Sequence, residues 1–330
     1  MTDCLRRVRG SHLWSGRILW LPVVVSACAL TLATPSSAKP VTTVQNSGTE
    51  VTLLGIHFHG VGSGFAVGGG GLIIKTIDGG KHWKPVGSGT RALLTAVFFT
   101  DARHGWVVGA NGTILHTRDG GVRWAPQLSG TQAAFYGVYF LNPSLGWVVG
   151  SGGNILHTTD GGGHWTDQPS NTNAVLYAVH FVDAQHGAAV GALGTVLLTQ
   201  DGGTTWVPQE TNSTGTFFDV VFTDPMTGWV VGNAGAMWQT ITGGKRWVDR
   251  TLPCTASCLK PTDLLRIRFT GPNAGWIVGE RGAIYRTTDA GFTWAEQENR
   301  TKISLFGLSF PDAAHGWATG EGGTILQITP

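Results

Sequence analysis

Apolar residues in this chain fall into short runs, each closed off by Gly, Asp or Pro, and the runs recur at a fixed distance. One period serves as the template. Residues 93–99 form an apolar stretch, and 106–109, 113–117 and 123–127 follow it. Short runs with turn punctuation predict strands, and no helical periodicity interrupts them. The glycine opening the second run falls at Gly64, Gly105, Gly146, Gly187, Gly228, Gly275 and Gly316, at intervals of 41, 41, 41, 41, 47 and 41 residues. That period suits a four-stranded propeller blade. A lone blade leaves both faces uncovered, so blades stack, and a ring removes the ends of the stack. The expected architecture is all-β: a seven-bladed propeller of four-stranded blades, occupying residues 39–330 as one domain.

The pattern also predicts how the ring closes. The seventh repeat stops at Thr329-Pro330, where the acidic turn of the other repeats begins, so it lacks an outer strand. Val41 through Thr49 aligns with Arg123 through Thr131 of the second repeat. Residues 41–45 are therefore expected to pair as the fourth strand of the blade formed by 304–329.

Six turns share the spacing T-x-D-x-G-x-x-W, with Asp78, Asp119, Asp160, Asp201 and Asp289 at the acidic position and Thr242 in the fifth. A carboxylate there is expected to accept backbone N–H groups two residues on, as in an Asx-type turn, while the glycines permit positive φ. The Trp that ends each turn then folds over its blade. Recurrence once per blade assigns these acids to structure rather than to calcium or acid catalysis. It also accounts for most Trp residues: six close the turns, and Trp106, Trp147, Trp229, Trp276 and Trp317 follow the strand-two glycine.

Composition narrows the function classes. Of 330 residues, 42% are hydrophobic and 13% charged, too little charge for a disordered or coiled-coil chain. Fifty Gly residues come without a G-X-Y triplet, which excludes collagen. No basic run suggests nucleic-acid binding. Arg6, Arg7, Arg9 and Arg17 precede an apolar stretch over 18–32, and small residues stand at Ser36 and Ala38. Residues 1–38 thus read as a secretory signal cleaved after Ala38. The box Val25-Ser26-Ala27-Cys28 keeps open a lipidated Cys28 or, failing both, an uncleaved anchor. Export to a periplasm or lumen follows, with membrane contact peripheral or through the Cys28 lipid. Without residues 1–38, the formal charge changes from +2 to −1. Cys254 and Cys258 remain, close together and bound for an oxidising compartment, so a disulfide is their expected state.

The motif T-x-D-G-G-x-x-W, preceded by G-W-x-V-G-x-x-G-x-I/L, is that of the Asp-box repeat. More narrowly, the phrase from Phe99 to Gly109, echoed at 312–320, resembles the photosystem II stability and assembly factor family, and the likeness covers essentially all of 40–330. The resemblance implies a seven-bladed, non-enzymatic protein without a cofactor, which binds a membrane-protein precursor or complex during assembly on the lumenal or periplasmic side. It does not imply that the source organism is photosynthetic.

Candidate binding residues come from departures in the repeat. Propellers commonly bind at the face that carries the loops between blades and between second and third strands. The six-residue insert with Cys254 and Cys258 lies between blades five and six. Ten of the eighteen basic residues left after the leader fall in this sector: Lys245, Arg246, Arg250, Lys260, Arg266, Arg268, Arg281, Arg286, Arg300 and Lys302. Aligned on the phenylalanine that ends the inner strand, Gly55, Ala96, Gly137, Ala178 and Gly307 occupy a position that carries Asp219 in blade five and Arg266 in blade six. An ion pair between these two is the expectation. Two positions on, Arg268 replaces His57, Phe98, Tyr139, His180, Val221 and Ser309. Arg266, Arg268 and Arg281 are candidates for an acceptor surface for carboxylates or a peptide C-terminus, against the alternative of a solvated basic edge. His57 and His59 have a chelating spacing but no evident third ligand, so no metal site is assigned. His104, His186 and His315 recur in the turn between first and second strands and read as turn residues.

The alternative class is a glycan-binding or glycoside hydrolase propeller, because sialidases share the acidic turn. Hydrolysis normally needs two carboxyls at a set separation. Beyond the turn acids, Asp219, Asp249, Asp263, Glu280 and Glu296 show no mutual spacing, and Tyr136, Tyr139, Tyr177 and Tyr285 show no pairing suited to a sialidase nucleophile. Protein binding is the favoured reading.

Overall fold

The computed structural model describes residues 41–252, 262–299 and 301–329. The expected leader, Cys28, the Cys254–Cys258 pair, Lys260 and Arg300 lie outside the described residues. The described residues form seven four-stranded antiparallel sheets, six of them simple meanders and the seventh completed by the N-terminal strand. Blade two is typical, with inner strand Leu94–Phe99, second strand Gly105–Gly109, third strand Ile114–Thr117 and outer strand Ala125–Gln127.

Closure follows the predicted register. The strand Val41–Gln45 pairs antiparallel with Ile325–Thr329, Val41 opposite Thr329 and Gln45 opposite Ile325. A side chain then locks the seam. Gln45 Nε2 donates to the Gly79 carbonyl of blade one (3.0 Å), and its Oε1 accepts Trp83 Nε1 (3.4 Å). Gln127 and Gln168 do the same for Gly161 and Trp165 and for Gly202 and Trp206. The glutamine clasp went unnoticed in the repeat, although Gln127 and Gln168 recur one period apart and Gln45 aligns with them.

The core lies between blades rather than inside one. In the second strands, Phe65, Trp106, Trp147 and Trp317 are fully buried and stack on the terminal inner-strand phenylalanine of the next blade, with centroids 4.4, 3.6, 3.5 and 3.7 Å apart. Each phenylalanine in turn meets its own blade's turn Trp edge-on, as Phe140 meets Trp165 at 5.9 Å. Burial of flat aromatic area on both sides of every such seam is what the hydrophobic effect rewards most per residue. Blade four breaks the series. Ala188 stands where the others have an aromatic residue, and Leu198, its partner across the ladder, leans into the space left open.

The acidic turns correct one expectation. The carboxylate does not chiefly serve the amide two residues on. Asp78 Oδ1 accepts the N–H of His82, four residues on (3.0 Å), and Asp119, Asp160, Asp201 and Asp289 accept those of Arg123, His164, Thr205 and Thr293. The threonine two residues earlier takes the intervening amide: Thr76 Oγ1 accepts Gly80 N–H (2.9 Å) and donates to Asp78 Oδ1 (2.9 Å). Gly79 and Gly80, with φ of 73° and 84°, curl the chain so that the later amide points back at the acid. Thr242 substitutes through its hydroxyl, which accepts Arg246 N–H at 2.9 Å.

Candidate functional site

The inner strands surround an axial channel of about 910 Å³. All inner strands begin at the end that holds the interblade loops and finish at the end that holds the acidic turns, where each turn is tied to its blade's first loop by a bond such as Gly243 N–H to Met226 O (2.8 Å). At the turn end the lining includes Thr223, Asp224, Thr227, Gly271, Pro272 and Ala290. Among the described residues, the loops that line its mouth are those beside the acidic turns. Toward the other end, every inner strand carries a bulge, as between Phe135 and Gly137 and between Leu176 and Ala178. The bulged residues Tyr136, Tyr177 and Phe218 stand in ring contact at 5.3 and 5.5 Å and narrow that end.

The two halves of the wall differ in chemistry. Across blades one to four, His57, Phe98, Tyr139 and His180 form an arc with successive centroids 5.0, 5.3 and 4.9 Å apart. Burial, with His59 and then Arg268 nearby, lowers the His57 pKa to about 3, and burial with Arg268 lowers that of His180 to about 4. Both rings are therefore neutral at pH 7 and act as aromatic surface. Across blades five and six stand Asp219, Arg266 and Arg268.

The ion pair is not the expected one. Asp219 Oδ2 accepts Arg268 Nη1 (2.6 Å) and the N–H of Ile267 (3.0 Å). Arg266 instead donates to its own neighbour's carbonyl, Leu265 O, at 2.7 Å. Geometry at the small position explains this. A Cβ on Gly55 would meet Thr95 O and Ala96 Cα of the next blade, and one on Gly137 would meet Tyr177 O of the next. The position aims each side chain at the following blade. Asp219 thus faces blade six, while Arg266 faces blade seven, away from Asp219. Burial, then Arg268, lowers the Arg266 pKa, and Asp219 partly opposes this.

Arg281 does not join the other two arginines. It is exposed in the turn Glu280–Gly282 at the far end from the mouth, and its Nη2 donates to Thr262 Oγ1 (3.0 Å). Its φ of 55° is left-handed, where blades one, three and seven have Gly70, Gly152 and Gly322. Lys245, Arg246, Arg250 and Lys302 are exposed, and Arg286 lies 5.2 Å over the Trp276 ring. The basic sector is thus divided among channel, rim and both ends. His104, His186 and His315 hold Asp101, Asp183 and Asp312 through Nδ1 within their turns. Among the described residues, no three His, Cys, Asp or Glu are grouped to hold a metal ion, and no helix is long and apolar enough to cross a membrane.

The sequence profile of the photosynthesis system II assembly factor YCF48 family matches residues 83–172 and 208–303, more than half of the chain. The chain belongs to that family. No curated protein matches it in sequence. Among solved structures, YCF48 from Cyanidioschyzon merolae is 21% identical, with a TM-score of 0.74 over 89% of this chain and 99% of that one. A YCF48 bound to a D1 peptide is 21% identical, with a TM-score of 0.73 over 89% and 97%. The GH74 xyloglucanase of Xanthomonas campestris, 14% identical, reaches a TM-score of 0.66 over 86% of this chain and 53% of its own. At these identities the structural likenesses speak for the seven-bladed fold, while the profile speaks for the family.

Proposed function

We propose that this member of the YCF48 family is an exported, non-catalytic propeller that binds a polypeptide segment of a membrane-protein precursor and acts as scaffold or assembly chaperone. Family membership carries the reading, and the YCF48 with a D1 peptide supplies the kind of ligand. The leader pattern over 1–38 supports a periplasmic or lumenal site of action, with the membrane reached peripherally or through Cys28. The exposed cations Arg250 and Arg281, both at the end away from the acidic turns, suit an acidic or carboxylate-bearing segment.

The disposition of acids supports binding over hydrolysis. Five acids hold their own turns, Asp219 is engaged by Arg268, and Asp263 and Asp249 accept the amides of Ala234 and Thr251. Every carboxyl with a shifted pKa among the described residues shifts downward, whereas a glycosidase acid needs an upward shift. Photo-crosslinking from positions 250 and 281 in native membranes tests the reading. A trapped membrane-protein precursor, lost in Arg281→Gly while the fold is kept, is the expected result. Glycoside turnover abolished by one Asp or Glu substitution would overturn it.

A further inference from the structure

We infer that the axial channel is a binding site for a small aromatic carboxylate, its anion held by Arg266 and its ring lying against the arc of His57, Phe98, Tyr139 and His180. This site is separate from the outer basic surface proposed for the polypeptide, and either could fail alone.

Size and enclosure come first. A channel of about 910 Å³, lined toward one end by Tyr136 and Tyr177, has the dimensions of small-molecule sites, roughly 300–1,000 Å³. Charge comes second. Asp219 makes its hydrogen bonds with Arg268 and the Ile267 amide, whereas Arg266 bonds Leu265 O. Arg266 replaces the Gly or Ala of five other blades and lines the channel, with its Nη1 donating to Leu265 O. A guanidinium has five donors in a planar fork that matches a carboxylate. The second acid of the channel, Asp224, lies at the mouth and accepts the amides of Met226 and Thr227.

The opposite wall selects the rest of the ligand. Four rings, successively tilted by 51–53°, present aromatic area, and ring contact adds to affinity there. With His57 and His180 neutral, one guanidinium remains as the anion partner, which suits a monoanion better than a phosphate dianion. The inference therefore names both parts of the ligand, ring and carboxylate.

Calorimetry on the purified protein with four probes tests it: 4-hydroxyphenylacetate, acetate, 4-hydroxybenzyl alcohol, and a short peptide with a free C-terminal tyrosine. The aromatic acid should bind at least about tenfold more tightly than acetate or the alcohol, and Arg266→Gln should cost about tenfold. Phe98→Ala should weaken the aromatic acid and leave acetate unchanged. In the native protein, the bound acid should shift the ring resonances of His57 and His180, a measurement that does not depend on any variant folding. Equal binding of acetate, no binding of the acid, or unmoved histidine resonances would overturn the proposal. Binding of the peptide without binding of the free acid would also overturn it, because the chemistry would then belong to a chain terminus.

Discussion

Blades two and three and blades five and six are built from the same repeat, yet their seams differ. Trp106 and Trp147 stack at 3.6 and 3.5 Å on the next blade's phenylalanine, and their indole N–H groups reach the Gly161 and Gly202 carbonyls. Trp229 and Trp276 sit 6.3 and 5.5 Å from Phe269 and Phe310, and Trp229 Nε1 is buried without a partner. The glutamine clasp of blades two and three is replaced by Arg250 in blade five, whose Nε reaches Gln239 within its own blade. Where the aromatic seam is looser, a charged contact between inner strands crosses it instead. The repeat thus sets the ring, and the blades that depart from it carry the polar chemistry of the channel.

The largest expected effect comes from breaking that charged contact. Asp219→Ala leaves Arg268 and the Ile267 amide without their acceptor. Arg268 is partly solvated, with 39% of its side chain exposed, which moderates the loss. A destabilisation of about 2–4 kcal/mol in urea unfolding is expected, less than for a fully buried pair. Asp219→Ala with Arg268→Ala should recover part of it. Equal losses in the single and double variants would mean that the seam does not rely on the pair.

The gap at blade four gives a second handle. Elsewhere the strand-two aromatic faces a polar or charged residue across the ladder: Lys75, His116, His157, Gln239, Arg286 or Gln327. Ala188 alone faces a leucine, and Leu198 occupies much of the space an indole would need. Ala188→Trp by itself should overpack the seam and cost about 1–3 kcal/mol. Ala188→Trp with Leu198→His rebuilds the pair of blades two and three and should restore stability. Additive losses would show that the blade-four seam is set by something other than this exchange.

The two halves of the channel also respond differently to pH. His57 and His180 titrate near 3 and 4 in the folded protein, below the ordinary histidine value of 6.5. Below about pH 6.5 the unfolded chain takes up protons that the folded chain resists, so stability is full above that pH and falls as pH drops toward 4 and 3. The carboxylates of Asp201 and Asp289, held down chiefly by Thr205 and Thr293, add a loss of the same sign below the ordinary carboxylate range. His57→Phe with His180→Phe should flatten the decline between pH 6.5 and 4 and leave the fall below pH 4 that comes from the carboxylates in place. An unchanged slope would mean that the arc is open enough to be protonated in place.

Much of this was legible in advance, and what was not has a common cause. Periodicity revealed seven blades, and the alignment of Val41 with Arg123 placed the closing strand in its observed register, because both depend only on residue spacing. The partner of Asp219 was misjudged for a geometric reason. Equivalent positions in successive blades point the same way round the ring, so Asp219 and Arg266 cannot face each other. Arg281, grouped with Arg266 and Arg268 by composition, sits on Thr262 ahead of the inner strand and is not part of the channel lining.

The smallest expected effect tests the comparison at its simplest. The fifth turn differs from its neighbours by one residue, Thr242 for Asp, yet keeps the bond to the amide four residues on. A carboxylate would accept that bond with charge assistance and would face Arg246, as Asp119 does Arg123. Thr242→Asp should therefore raise Tm by about 1–2 °C, an effect sized for one exposed bond in a protein of this length. Salt should reduce the gain, because the added term is electrostatic and solvent-screened. If Tm falls instead, the threonine is not a weaker copy of the motif but an adaptation to the basic sector around Lys245 and Arg246, and blade five departs from the repeat at its outer edge as well as along the channel.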